Sequence, residues 1–141
     1  MFSKTCEYAL RAILYIALNA SKQKKIGIKE IAKELEIPAH FLGKILQNLV
    51  KHKILDSTKG PNGGFFATSI MLKMPIIRII EIVDRLETFN KCGIGLAKCS
   101  NQHPCPIHHD FGPYRDNLKK VLSKKKIQDF VKEIKKEKLR L

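Results

Sequence analysis

The chain has 141 residues, a formal net charge of +14, 44% hydrophobic and 7% aromatic residues, and no Trp. That length buries one modest core. The longest apolar run, residues 75–86, is broken by Arg78, Glu81, Asp84 and Arg85, short of the ~20 apolar residues a spanning helix needs.

Residues 1–7 carry no apolar signal core, so a cytoplasmic protein without membrane contact is expected, its four cysteines reduced and free to bind metal. Residues 8–20 place Ala9, Ala12, Ile13, Ile16 and Ala17 on one side, which predicts a helix. Cys6 precedes it and reads as a small buried hydrophobe. Ile28, Ile31, Ala32 and Leu35 repeat at i, i+3, i+4 and i+7, a second, short amphipathic helix. Pro38 marks the start of a third, since the first helical turn has no use for its missing N–H. That helix is expected to turn Phe41, Leu42, Ile45, Leu46 and Leu49 inward and Ala39, His40, Gly43, Lys44, Gln47 and Lys51 outward.

Two short helices broken at residues 36–38 form a helix-turn-helix pattern, with the second as recognition helix. Residues 54–58 then read as a strand, Lys59-Gly60-Pro61-Asn62-Gly63-Gly64 as a turn, and residues 65–67 as a returning strand. This is the wing of a winged helix, and no Walker-type Lys-Ser/Thr follows its glycines. The candidate DNA contacts are Ala39, His40, Phe41, Lys44 and Lys51, with Lys59 at the wing.

Pro75 opens a helix rich in isoleucine that is apolar over more than one face and must be buried. A cysteine-rich loop, residues 90–109, follows. It carries Cys92, Cys99 and Cys105, with His108 three residues after the last thiol. Soft thiolates with an imidazole suit zinc or an iron–sulfur cluster, and the spacing does not choose between them. After Gly112-Pro113 a helix is expected from about Tyr114. Ser123 is the candidate cap of a last helix with an Ile127, Phe130, Val131 and Ile134 stripe. That stripe is too apolar for water and suggests packing across a two-fold axis.

The charge is uneven. Residues 1–68 hold 11 Lys/Arg against 5 Asp/Glu, residues 69–110 hold 5 against 4, and residues 111–141 hold 11 against 4. The basic first half favours a polyanion such as duplex DNA, whereas the basic tail reads better as a solvated face. No radical-SAM cysteine triplet, phosphate-binding loop or nucleophile–base pair stands out, so an enzyme is not expected.

Taken together, Glu7-Tyr8-Ala9-Leu10-Arg11-Ala12, Ile31-Ala32 with Ile37-Pro38-Ala39-His40-Phe41-Leu42, the wing, the run Ile79-Ile80-Glu81-Ile82-Val83-Asp84 and the three cysteines resemble the IscR/NsrR type of bacterial winged-helix regulators. The resemblance implies a mainly α fold with a small β-hairpin wing. A winged helix-turn-helix domain (1–70) would precede a helical dimerisation region (71–141). It implies a homodimer on a pseudo-palindromic operator, a long dimerisation helix after the third cysteine, and a [2Fe–2S] or [4Fe–4S] cluster held by Cys92, Cys99 and Cys105. Two residues compete as fourth ligand. His108 matches the His of one branch, and Glu7 stands where other members use a carboxylate from the opposite subunit. His108 is favoured because closing three residues of chain costs less than holding a carboxylate across an interface. Two alternatives stand beside the cluster: a structural zinc site of three cysteines and one histidine, and a regulator without metal. Lys59 stands where the family usually has Arg, and Gly43 where relatives can carry a base-reading side chain.

Overall fold

The computed structural model describes residues 1–141, folded into seven α-helices and one two-stranded antiparallel hairpin. Helix α1 (Lys4–Asn19) is the central rod. Ser3 caps it, its side chain accepting from the Cys6 N–H, and Cys6, Ala9, Ala12, Ile13 and Ile16 are fully buried along it. Helices α2 (Ile28–Leu35) and α3 (Ala39–Lys51) pack on α1. Between them Glu36 adopts a left-handed φ of 55° and its N–H returns to α2 carbonyls, which ends α2 and turns the chain.

Leu42, Ile45, Leu46 and Leu49 are the buried stripe of α3, a complete i, i+3, i+4, i+7 set without Phe41. Phe41 is therefore not inward as expected. It is 54% exposed at the open first turn of α3, its ring 4.5 Å from that of His40. Gly43 is not outward either: a Cβ there would lie 3.0 Å from Ile28 Cδ1. It is the point of close approach between α2 and α3.

The wing is shorter than the sequence suggested, with β1 (Asp56–Thr58) paired to β2 (Gly64–Phe66). Ile26 adds a bridge to Phe65, with N–H···O distances of 3.0 and 2.8 Å, and ties the wing to the segment before α2. This closeness demands glycine at 64, where φ is 145° and a Cβ would sit 2.7 Å from the Ile26 carbonyl oxygen.

Helix α4 (Ser69–Lys73), capped by Thr68, has no counterpart in the sequence reading, being a single turn too short to show a period. Helix α5 (Ile77–Val83) buries Ile77, Ile79 and Ile80 and packs on α1 and α6, while Arg78 and Glu81 pair with each other on its outer side. A 3₁₀ turn (Leu86–Asn90) leads into the cysteine loop.

Helix α6 runs His108–Lys124, six residues earlier than expected. Gly112 and Pro113 lie inside it because the helix is already nucleated at the end of the loop, where His108 N donates to Cys105 O and Phe111 N to Ile107 O. Ser123 does not cap the last helix; its hydroxyl donates back to Lys119 O within α6. Helix α7 (Ile127–Glu137) starts instead at Lys126, whose backbone N–H donates to the Asp129 carboxylate at 2.9 Å.

The largest correction concerns the α7 stripe. Ile127, Val131 and Ile134 are buried in the same core as α1, α2 and α3, and α7 packs on α1 and α4. The stripe is satisfied at home and needs no second copy.

Candidate metal centre and nucleic-acid face

Residues 91–107 form a loop held by isolated turns. Gly95 N donates to Cys92 O at 3.1 Å, and Ser100 N to His103 O at 3.1 Å. Its base is pinned by the 3₁₀ turn, whose Phe89 is buried with Cys6, Ile77 and Ile80. Its end is pinned by α6, where Phe111 covers Gly93 so closely that a Cβ would lie 3.0 Å from the ring.

This folding brings the three loop cysteines together. Their sulfurs all lie within 4.8 Å of one another and none is in a disulfide. The donors fall into two pairs: Cys92 and Cys105 share a thiol–thiol contact of 3.5 Å, and Cys99 Sγ lies 3.1 Å from His108 Nδ1. Three thiols at these separations are a donor set for a soft or borderline metal, and they fit such a group; His108 reaches that set through Cys99 alone.

Burial would by itself raise the Cys92 thiol, but the N–H groups of Ile94 and Leu96 and the neighbouring thiols of Cys105 and Cys99 outweigh it. Together they lower the Cys92 thiol to about 7. Its neighbour Cys105 is pushed the other way, by burial first and then by Cys92 and Cys99, against the lowering effect of the Ile107 N–H. The pair therefore gives up one proton easily and holds the second. Cys6 is the contrast. Burial, with Asp84 and Glu7 nearby, pushes it up to about 12.

Of the two candidate fourth ligands, His108 is brought to the thiols. Glu7 of the same chain is exposed and paired with Lys4 at 3.0 Å. Two residues beside the site were missed by sequence reasoning. Asn101 Oδ1 lies 2.8 Å from His108 Nε2. Arg115 lines a cavity of about 330 Å³ with Cys92, Lys91 and Thr88; its Nε is buried without a hydrogen bond, the Asp116 carboxylate standing 3.5 Å off. No periodicity or ligand spacing marks either residue.

The predicted DNA contacts Ala39, His40, Phe41, Lys44, Lys51 and Lys59 are all exposed, the first five on α3 and the last at the wing. Lys25 adds a further cation near the wing, its Nζ 5.9 Å from the centre of the Phe66 ring.

Residues 2–133 match the Rrf2 family, described as iron-dependent transcriptional regulators. The chain belongs to the Rrf2 family. A relative in Aquifex aeolicus, named as an HTH-type transcriptional regulator, is 33% identical over 133 residues, 93% of this chain and 91% of its own. The NsrR regulator of Oceanobacillus iheyensis is 29% identical, over 92% of this chain and 88% of its own. Among solved structures, CymR, the global cysteine regulator of B. subtilis, superposes with a TM-score of 0.74 at 18% identity, covering 94% of this chain and 97% of its own. The T. potens IscR structure superposes at 0.67 and 16% identity, covering 100% and 93%. These likenesses bear out the winged-helix fold. The Rrf2 chain is a transcription regulator whose three loop cysteines are placed to bind metal, its relatives are regulators rather than enzymes, and no helix is long and apolar enough to cross a membrane.

Proposed function

We propose that the chain is a homodimeric, sequence-specific DNA-binding regulator whose loop holds an iron–sulfur cluster as its sensor, working in the cytoplasm where its DNA is. The observation that carries this is the gathering of Cys92, Cys99 and Cys105 within 4.8 Å of one another, with His108 against Cys99 at 3.1 Å, in a chain that also presents a basic recognition helix and wing. Residues 1–70 read as the DNA-binding part and 71–141 as the sensing and dimerising part. The three thiolates and His108 Nδ1 would hold the cluster, which supplies redox and ligand-exchange chemistry when bound. The family's description as iron-dependent favours iron. Glu7 of a second copy is the competing fourth ligand.

Helix α6 supports the dimer better than α7 does. It has no fully buried residue; Tyr114 and Val121 on it are 76% and 41% exposed, while Leu118 between them packs in part on the Cys6–Phe89 cluster of its own chain. Exposed apolar side chains two turns apart on a 17-residue helix are suited to a second copy of the same helix. Paired recognition helices would then enter successive major grooves of a pseudo-palindromic duplex.

The deciding experiment is anaerobic reconstitution followed by iron and acid-labile sulfide counts, an absorption spectrum, and duplex binding by the loaded and metal-free forms. Iron with sulfide and a change in affinity of roughly 5- to 150-fold are expected, the usual range of coupling between two sites. Zinc without sulfide would decide for a structural site, a second reading that the mutual 4.8 Å limit of the three sulfurs also suits. On the DNA face, Lys59→Ala is expected to weaken binding to all duplexes and to lower the salt slope by about one. His40→Ala should instead change the ranking of sequences. Unchanged affinity in Lys59→Ala would remove the wing from the DNA face.

A further inference from the structure

His108 is the first residue of α6, and both its ring nitrogens are engaged. Nδ1 faces Cys99 Sγ at 3.1 Å and Nε2 faces Asn101 Oδ1 at 2.8 Å. We propose that Asn101 is the positioning residue of the metal centre, its side-chain oxygen holding the Nε2–H of His108 so that Nδ1 stands bare toward Cys99 as the fourth donor. This rests on the reading of Cys92, Cys99, Cys105 and His108 as a metal site.

The chemistry follows from the inventory of donors. A neutral imidazole carries one N–H, and a ligating nitrogen must be the other one. An amide oxygen only accepts, so its partner Nε2 carries the hydrogen and Nδ1 keeps its lone pair. In the metal-free chain that lone pair accepts from the Cys99 thiol. Metal binding would release the Cys99 thiol proton to solvent, leaving the Cys99 thiolate and the Nδ1 lone pair free to hold the metal. Metal-ligating histidines generally give their second N–H to an oxygen in this way, and the contact fixes both tautomer and ring plane.

Asn101 is itself held. It lies in a tight turn closed by Ser100 N to His103 O at 3.1 Å and by His103 N to Ser100 Oγ at 3.1 Å. The His109 ring stands edge-on to the imidazole at 5.3 Å. The ring thus has an acceptor and a neighbouring ring against it before any metal arrives. His103 enters this arrangement through its backbone N–H and carbonyl.

The test uses Co²⁺ as the probe metal on the full-length metal-free protein under anaerobic conditions, with affinity read from the thiolate and d–d absorption bands. Loss of an outer oxygen partner of a ligating His costs on the order of 10–100-fold in metal affinity, and Asn101→Leu is expected to show that loss. Asn101→Asp keeps an accepting oxygen in place and should stay within a few-fold of the parent. Asn101 acts through His108, so Asn101→Leu made on top of His108→Ala should cost little more than His108→Ala alone. Parental affinity in Asn101→Leu would overturn the proposal. So would an equal loss in the presence and absence of His108, which would make Asn101 a loop-shaping residue only. The separate iron and sulfide counts decide whether the bound group is a cluster, so failure of that reading is recognised independently.

Discussion

The winged-helix head, residues 1–70, and the cysteine loop are built on opposite principles. The head stands on apolar burial: Ile13, Ile16, Ile31, Leu42, Leu46 and Leu49 are all fully enclosed in one core that also takes in α7. The loop has almost none. Cys105 is its one buried residue, Ile94, Leu96 and Ile107 are exposed, and its backbone bonds close single turns. Its interior is made of sulfur and imidazole. A region so built changes packing readily when its donors change partners, while the head keeps its shape. Between them lie a small cluster of Cys6, Ile77, Ile80 and Phe89, the Ser3 N–H and hydroxyl that donate to Asp84, and the Thr88 hydroxyl that donates to the Met1 carbonyl at 3.5 Å.

The contrast can be broken most sharply with thiol chemistry. Cys92, lowered to about 7, should be half ionised at neutral pH, whereas Cys6, raised to about 12, stays a thiol. Thiolate fractions then differ by roughly 10⁵, and the greater nucleophilicity of the more basic thiolate returns about 10² of that. A disulfide reagent should therefore label Cys92 of the metal-free protein about a thousandfold faster than Cys6, even before burial is counted. The Cys92 rate should rise with pH through its midpoint at about 7 and level off once the pH is well above that, where deprotonation is complete. Mass spectrometry of quenched samples reads both sites. Comparable rates would mean that the loop and the core are not distinct environments.

Next in size is stability. Leu46→Ala removes a fully buried side chain and should cost about 2–5 kcal/mol, a large part of the ~5–15 kcal/mol that holds a domain of this size. Cys99→Ser in the metal-free chain should cost less than about 0.5 kcal/mol, the usual effect of substitutions away from core packing. Urea unfolding followed by circular dichroism measures both. A large loss in Cys99→Ser without metal would show that the sulfur cluster already stabilises the fold.

The same division explains what could be read from the sequence. Elements with a long buried stripe were visible, because burial on one face imposes a period: α1, α2, α3 and α7 all announced themselves. Phe41 and Gly43 were misplaced because period alone does not say which flank of α3 meets α2. That depends on the Ile28 contact. Helix α6 was started late because Pro113 outweighed the turn that Cys105 and Ile107 carbonyls nucleate before it. The three thiols and His108 could be read from spacing and residue type. Asn101 could not, since an asparagine in a loop carries no pattern until its oxygen is seen against Nε2. The α7 stripe was seen, but its partner was not. An amphipathic helix says only that it needs a partner, and α1 supplies one.

That partner is the subject of the smallest effect. Asp129 accepts the Lys126 N–H at 2.9 Å and places its charge in the first turn of α7, where it favours the helix by capping and by the helix dipole. Asp129→Ala should lower stability by about 0.5–1 kcal/mol, the common range for a lost cap. Because α7 closes over α1 of its own chain, the loss should be the same at low and high protein concentration. Unfolding curves of parent and variant across a hundredfold range of concentration make the comparison. If the difference between them grew on dilution, α7 would be docking on a second copy in solution, with its stability set by mass action. The Ile127, Val131 and Ile134 stripe would then serve the dimer after all, and α6 would have to find another role for Tyr114 and Val121.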